Sequence, residues 1–407
     1  MQLREPESWQ RGQGPDLDTW LAALPNVPAV FLVHTAPAEP TARPTEPAEP
    51  PAEPTLFDAT PAAKPYLGRT SLIRRRLLRL LGPRTHPSRL LNLRDLAQRI
   101  DIWKTASTIE TALTSYTLAR RHYPDTYARL LRLPKPPYVK LILTNQFPRT
   151  MVTTRLGGRS RYFGPFRNRA AADAFEKAFL DLFQIRRCQE DLEPSPDHPG
   201  CIYGEMRMCL RPCQDAVSIE EYASETTRVD EFLRTNGHSL LEATRVSRDR
   251  LSESLHFEEA ARAHAMLEKI QGITRLSGEL AADVDQLHGI AITRSVNYEE
   301  VSLWFLLRGC WQPERAFALN ANIDGRPVPM DARLREIAAS LPATLTLRDR
   351  QDHLALLTRW FFSNWRDGEW LPFDSLDSIP YRKLTNAIHR VAAGKADTPA
   401  QGILPIR

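Results

Sequence analysis

The sequence predicts a multi-domain α+β protein, and three observations carry the prediction. Its 407 residues correspond to roughly three domains of about 150 residues each, enough to bury separate cores. Apolar and charged contents of 42% and 25% sit near globular averages and exclude wholesale disorder. Strand-like alternation and helix-like spacing are interleaved, with proline clusters at the breaks.

Residues 16–33 read as a short amphipathic segment (Leu17, Trp20, Leu21, Leu24), a turn, and an apolar strand from Ala29 to Val33. The composition then changes. Nine prolines lie between Pro37 and Pro65, and Ala-Glu-Pro recurs at 38–40, 48–50 and 52–54. Such a run predicts an extended, disordered insert over 36–65. Order resumes at Tyr66, and Leu72, Ile73, Leu77, Leu78, Leu80 and Leu81 have helical spacing. A second helix is predicted around Leu93–Ile100 and a third around Thr108–Arg121, before a boundary at Pro134, Pro136 and Pro137.

Tyr138–Leu143, Met151–Thr154 and a segment reaching Phe163 after Gly157-Gly158 alternate like strands, and Ala170–Phe183 is helical. Ser218-Ile-Glu-Glu221 and Ser239-Leu-Leu-Glu242 both fit the capping-box rule, predicting two helix starts separated by Gly237 and His238. Residues 286–321 read as a three-strand meander, followed by helices near 331–340, 350–365 and 380–392 and a fraying end. The domains so drawn are 16–135, 136–216, 217–278 and 283–395.

No stretch approaches the roughly 18 apolar residues that span a bilayer, so no membrane partner is expected. Met1–Gly14 lacks the apolar core of a secretory signal, which makes the cytoplasm the expected compartment. Five cysteines in a reducing compartment argue against a disulfide framework and for metal, redox or burial. A net charge of +5 points to a polyanionic partner, and 46 arginines against 8 lysines favour bidentate phosphate contact. A GC-rich genome would enrich arginine equally well.

Three constellations carry chemistry. Cys188, Cys201, Cys209 and Cys213 fall within 26 residues, and four thiolates so gathered can hold one zinc or one iron–sulfur cluster. Their spacing alone does not name the metal, and four separate buried thiols are the plainer alternative. Arg69, Arg74, Arg75, Arg76, Arg79, Arg84 and Arg89 crowd the helix after Tyr66-Leu67-Gly68, able to grip phosphate or merely to face solvent. The segment from Leu255 begins a helix whose apolar side runs Phe257, Ala260, Ala261, His264, Leu267 and Ile270. It completes a helical hairpin that is either structural or a docking element for a partner's helices.

Taken in order, these features resemble the UvrC family of excinucleases, the dual-incision nucleases of bacterial nucleotide excision repair. Leu24 to Leu32 is similar to that family's first nuclease motif, and Tyr66-Leu67-Gly68-Arg69 to the second half of the GIY-YIG signature. Pro148, Arg149 and Tyr162-Phe163-Gly164-Pro165-Phe166 resemble the segment after the nuclease fold, and Leu255–Ile270 resembles the UVR motif. The resemblance implies a small GIY-YIG-like α/β domain, a cysteine-rich linker, a helical hairpin and a C-terminal α/β segment. It implies a [4Fe-4S] cluster on the four cysteines, with zinc as the alternative. It also implies a UvrB-like helicase partner held by Phe257, Ala260 and Ala261, while the clustering of Arg69, Arg74, Arg75 and Arg79 is what points to DNA backbone contact.

The catalytic positions depart from the family pattern. Tyr66 and Arg76 match, but Phe31 stands where the resemblance implies a tyrosine that activates water. Ser115 stands where it implies the carboxylate that binds a divalent metal, and Glu110 lies five residues away. The acidic core of the family's RNase H-like nuclease and its helix-hairpin-helix modules are not expected in the roughly 130 residues after the UVR-like segment. The expectation is a truncated paralogue that binds DNA and a UvrB-type partner with impaired or absent incision. Its rivals are an active single-incision nuclease, for which Tyr66, His34 and His122 are candidate bases, and a regulator that does not touch DNA.

Overall fold

The computed structural model describes residues 3–35, 64–83, 91–320, 322–323, 326–342 and 347–394. The proline-rich insert expected at 36–65 falls almost wholly outside the described residues, as do Arg84, Arg89 and the fraying end.

The N-terminal part is an antiparallel sheet of β1 (Glu7–Gln10), β2 (Ala29–Thr35), β3 (Tyr66–Thr70) and β4 (Ala97–Lys104), in the order β1-β4-β2-β3. Alternation divides β2 between two faces. Phe31 and Val33 pack with Ile100 and Ile102 under α1 (Leu17–Ala23) and α2 (Ile73–Leu81). Val30 and Leu32 meet Leu118 of α3 (Thr108–His122) on the other face.

The helix expected around Leu93–Ile100 is instead the approach to strand β4. Leu93, Ala97 and Ile100 do have helical spacing, and all three are buried. But β4 pairs with both β1 and β2, and two successive exposed residues, Gln98 and Arg99, between the buried Ala97 and Ile100 break the alternation that would mark a strand and leave a helix-like spacing. Tertiary pairing decides the outcome here.

After the short α4 (Tyr127–Leu130), the middle part is a second antiparallel sheet: β5 (Tyr138–Ile142), β6 (Arg149–Thr153), β7 (Ser160–Gly164) and, far along the chain, β8 (Ala282–Asp283). α5 (Arg169–Leu180) packs on it through Phe175 and Phe179, which stack with Phe163 and Phe232. The cysteine loop contains α6 (Ile202–Glu205) and leads into α7 (Ile219–Arg234), whose capping box at Ser218 and Glu221 forms as the sequence predicts. Arg161 bridges Asp230 and Asp283 at 2.7 Å each, tying β7, α7 and β8 together.

The second capping box does not form. α8 (His238–Glu253) begins one residue before Ser239, after Gly237 at φ 80°. Thr235 Oγ1 accepts the Ser239 N–H at 3.1 Å, so Ser239 is already inside the helix. The three-residue link after α7 reverses the chain through a left-handed glycine, which leaves no room for an extended serine cap. α9 (Phe257–Leu276) returns antiparallel to α8, with Leu267, Ile270 and Ile273 buried.

The C-terminal part contains β9 (Gly289–Arg294), β10 (Glu300–Leu307), β11 (Cys310–Trp311) and β12 (Arg315–Ala318), joined by the hairpin β13 (Asn322–Ile323) and β14 (Arg326–Pro327) to the helices α10 (Met330–Ala339), α11 (Arg350–Phe361) and α12 (Tyr381–Ala392). The meander β9-β10-β12 and all three helices agree with the sequence reading, while β15 (Glu369–Pro372), which pairs with β9, lies outside it. Val301, Leu303, Phe305 and Leu307 face α10 and α12. Trp304 and Leu306 face α11, where Ile109, Leu113 and Tyr116 of α3 join the same core. Helix α3 therefore lies between the N-terminal sheet and the C-terminal part. Among the described residues no helix is long and apolar enough to cross a membrane.

Candidate functional site

Strand pairing sets the face that carries Phe31 and Tyr66. Phe31 lies opposite Gly68, and Val33 opposite Tyr66, so the Phe31 and Tyr66 rings share one side of the sheet with centroids 6.1 Å apart. Arg76, ten residues after Tyr66, rises from α2 and donates through Nη2 to the Tyr66 hydroxyl at 3.0 Å. Ile73, Leu77, Leu80 and Leu81 anchor α2 in the core, which turns Arg74, Arg75 and Arg79 outward into solvent. Arg69 is exposed at the end of β3. The structure thus brings Tyr66 and Arg76 together beside an open basic surface. Phe31 is fully buried, its ring lying over Gly68, and offers no group that titrates.

Ser115 and Glu110, named in the sequence reading, lie elsewhere. Ser115 sits one turn before Leu118, the residue packed on Val30 and Leu32, so it lies on the α3 side of the sheet rather than the Phe31 side. It is 3% exposed, and its hydroxyl has no hydrogen-bond partner. Glu110 is equally buried and acts as a cap: its carboxylate accepts the Ala106 N–H at 2.7 Å, while Ser107 Oγ accepts the Glu110 N–H at 3.2 Å. Burial pushes the Glu110 carboxyl up to about 7.

Of the candidate bases, only Tyr66 stands beside Arg76. His34 and His122 meet edge to face at 6.1 Å, and His34 Nε2 lies 3.0 Å from Asp101 Oδ2. Hydrogen bonds from His34, Ser8 and Arg99 outweigh the cost of burial and hold Asp101 down at about 2. Sequence reading missed Asp101, because a carboxylate inside a buried strand shows no local signal of its partners.

The four cysteines share one tethered loop. Its entry is fixed by Arg186, 2% exposed, which donates to Phe147 O at 2.9 Å and Glu190 O at 2.6 Å and points Nη1 at Cys188 Sγ, 3.7 Å away. Tyr222 accepts the Arg186 N–H and donates to Pro148 O, each at 2.8 Å. Arg207, Arg211 and Asp215 adopt φ of 58°, 58° and 53°, a left-handed conformation uncommon for non-glycine residues. Cys209 and Cys213 are buried, Cys188 is half-buried and Cys201 is exposed. Burial and the neighbouring thiols push Cys209 up to about 11, even though the Arg211 N–H donates to its sulfur at 3.4 Å. Sulfur donors of this number in one loop suit a metal or cluster in donor chemistry, though the raised Cys209 favours the protonated thiol. Among the described residues, however, no three His, Cys, Asp or Glu side chains are arranged to hold an ion.

The helical hairpin is anchored at its base and bare at its tip. Leu267, Ile270 and Ile273 of α9 are buried, and Lys269 donates to Asp181 O at 3.1 Å. Helix α8 has no buried residue. At the distal turn Leu255 and Phe257 are 72% and 64% exposed, and midway along α8 and α9 Val246 and Met266 are also open. Ala260 is half-buried and Ala261 exposed.

Comparison with known proteins gives this arrangement a context. Residues 137–235, spanning the middle sheet, the thiol loop and α7, match the family described as UvrC/Cho excinuclease, middle domain. The chain is 25% identical over 353 residues to the UvrABC system protein C of Moorella thermoacetica, covering 85% of this chain and 53% of that protein. It is 30% identical over 231 residues to the protein of the same name from Carboxydothermus hydrogenoformans, covering 54% and 37%. The corresponding protein of Methanothermobacter thermautotrophicus is 27% identical over 223 residues, again covering 54% and 37%. The chain therefore spans about half the length or less of these relatives. No solved structure matches it.

Proposed function

The chain belongs to the UvrC family, and from that premise we propose that it is a DNA-binding component of nucleotide excision repair with impaired or absent incision. The observation that carries the reading is the nuclease-like face itself. The cation and its tyrosine are in place, Arg76 on Tyr66, beside the exposed Arg69, Arg74, Arg75 and Arg79. Of the positions implied for activating water and binding a metal, Phe31 is a buried phenyl ring on this face, and Ser115 is a buried serine on the other side of the sheet, so no carboxylate from it reaches the face. Such a face can grip a phosphodiester and stabilise its charge. It lacks general-base help, typically worth about 10² to 10⁴ in rate, and a carboxylate for the metal.

The exposed apolar tip around Phe257 supports docking of a UvrB-type helical partner. The gathering of Cys188, Cys201, Cys209 and Cys213 in one loop supports a metal centre that forms only when the loop draws the four thiols together, since they are not so arranged here. A [4Fe-4S] cluster there would serve as a structural or redox element that fixes the loop beside the middle sheet.

Binding and nicking of damaged duplex with Mg²⁺ and with Mn²⁺ test the proposal. Wild-type protein is expected to bind without cutting. Replacing Arg75 and Arg79 with alanine should weaken binding to all sequences alike and flatten its salt dependence, because backbone contacts act through counterion release. Robust metal-dependent cutting by the wild type would refute the loss of incision, and a sequence-selective loss in the variant would refute backbone contact.

A further inference from the structure

Two aromatic side chains stand nearly free of the described surface, Tyr298 at 94% and Trp365 at 84% exposure. Tyr298 precedes two glutamates, Glu299 and Glu300. Trp365 has the opposite surroundings. It sits in a turn between α11 and β15 that is fixed at both ends. The Trp365 N–H donates to Ser363 Oγ at 3.1 Å and the Arg366 N–H to Ser363 O at 3.2 Å. The Arg366 guanidinium lies over the Phe361 ring, 4.8 Å from its centroid.

Asp367 then ties the turn to the nuclease-like part. Its carboxylate accepts the Thr108 N–H at the start of α3 at 2.7 Å and the Trp360 indole N–H at 3.2 Å. That carboxylate is committed to a helix N-terminus, which offsets its charge. Asp367 lines a cavity together with Arg69, Thr70, Ser71 and Ser107, so the turn carrying Trp365 borders the end of strand β3. Arg359 of α11 donates to Leu131 O at 3.0 Å and to Arg132 O, and burial, with the nearby charge of Arg69 second, lowers its proton affinity. Among the described residues, no carboxylate forms an ion pair with Arg69, Arg359 or Arg366.

We propose that Trp365 is a stacking platform for an unpaired base of bound DNA, whose backbone crosses Arg69 and Arg366. An indole projecting into water from a hydrogen-bonded turn, with Arg366 next to it in the chain and Arg69 lining the cavity the turn borders, combines the two elements of single-strand recognition, a π-face and phosphate-binding cations. The inference rests on the DNA-binding reading and deepens it. The face formed by β3 and α2 would hold duplex backbone, while the C-terminal turn would sense a base that has left the stack. Neither task requires incision.

The test uses the full chain and two labelled duplexes of the same sequence, one fully paired and one with a short central bubble, titrated by fluorescence anisotropy. Wild type should favour the bubble. Trp365→Ala should lower bubble affinity about tenfold, within the range of single base–aromatic stacks, and leave the paired duplex unchanged. Trp365→Phe should restore most of the preference, since a phenyl ring also stacks. An equal loss on both duplexes, no loss on either, or a wild type without preference overturns the proposal. A wild type that binds neither duplex overturns the DNA-binding reading as well, whereas paired-duplex binding that survives Trp365→Ala keeps that reading intact.

Discussion

Burial of Glu110 makes stability depend on pH in a direction opposite to that of an ordinary paired carboxylate. The side chain is 3% exposed, and burial raises its carboxyl from an ordinary 4.5 to about 7, although the Ala106 N–H favours the charged form and only partly opposes the shift. Between those values the folded protein keeps a proton that the unfolded chain has released. Stability therefore falls as pH rises through the window from 4.5 to about 7, and the loss is complete above it. At about 1.4 kcal/mol per tenfold change in proton affinity, the displacement corresponds to roughly 3 kcal/mol. Glu110→Gln removes the charge while its amide oxygen can still accept from Ala106. The variant should match wild type near pH 4.5 and exceed it by up to roughly 3 kcal/mol at pH 8. Urea unfolding followed by tryptophan fluorescence across this range measures the difference. A gap between the two proteins that does not change with pH would refute the reasoning, as would a variant less stable at pH 8.

Three further outcomes are expected. Phe257→Ala should weaken a complex with a UvrB-type partner by about 2 kcal/mol or more while leaving the melting temperature of the free chain unchanged, because the ring is 64% exposed; unchanged binding would make the hairpin purely structural. Gly68→Ala would place a methyl group 2.3 Å from Phe31 Cζ, and since the ring is fully buried the overpacking should cost about 1–3 kcal/mol, partly recovered by Phe31→Leu in the same chain. Anaerobically purified protein should be brown, with broad absorbance near roughly 400 nm that is lost when Cys209 and Cys213 become serine; colourless protein with one equivalent of zinc would keep the site and reject iron.

The sequence by itself determined those elements whose signals are local. Leucine spacing specified α2 and thereby the outward arginines. The Ser218 capping box started α7. The apolar alternation of 286–321 specified the meander, and four cysteines within one loop remained in one loop. Each of these depends on residues a few positions apart, where period and capping act directly.

What the tertiary structure decided depends on partners distant in sequence. The segment 97–104 is a strand because β1 and β2 pair with it, while the exposed pair Gln98 and Arg99 between Ala97 and Ile100 gives the sequence a helix-like spacing. Ser239 lost its capping role to a left-handed Gly237, a conformation its neighbours do not advertise. Family resemblance alone placed Ser115 with the catalytic residues, but the fold puts it across the sheet from Arg76 and assigns Glu110 to the cap of α3. Asp101 with His34, Asp367 with Thr108, and Arg186 with the thiol loop join residues brought together only by packing. Side-chain chemistry was legible residue by residue. Which side chains share a face was not, because a face is a property of the folded chain, fixed by strand register and helix docking rather than by spacing along the sequence.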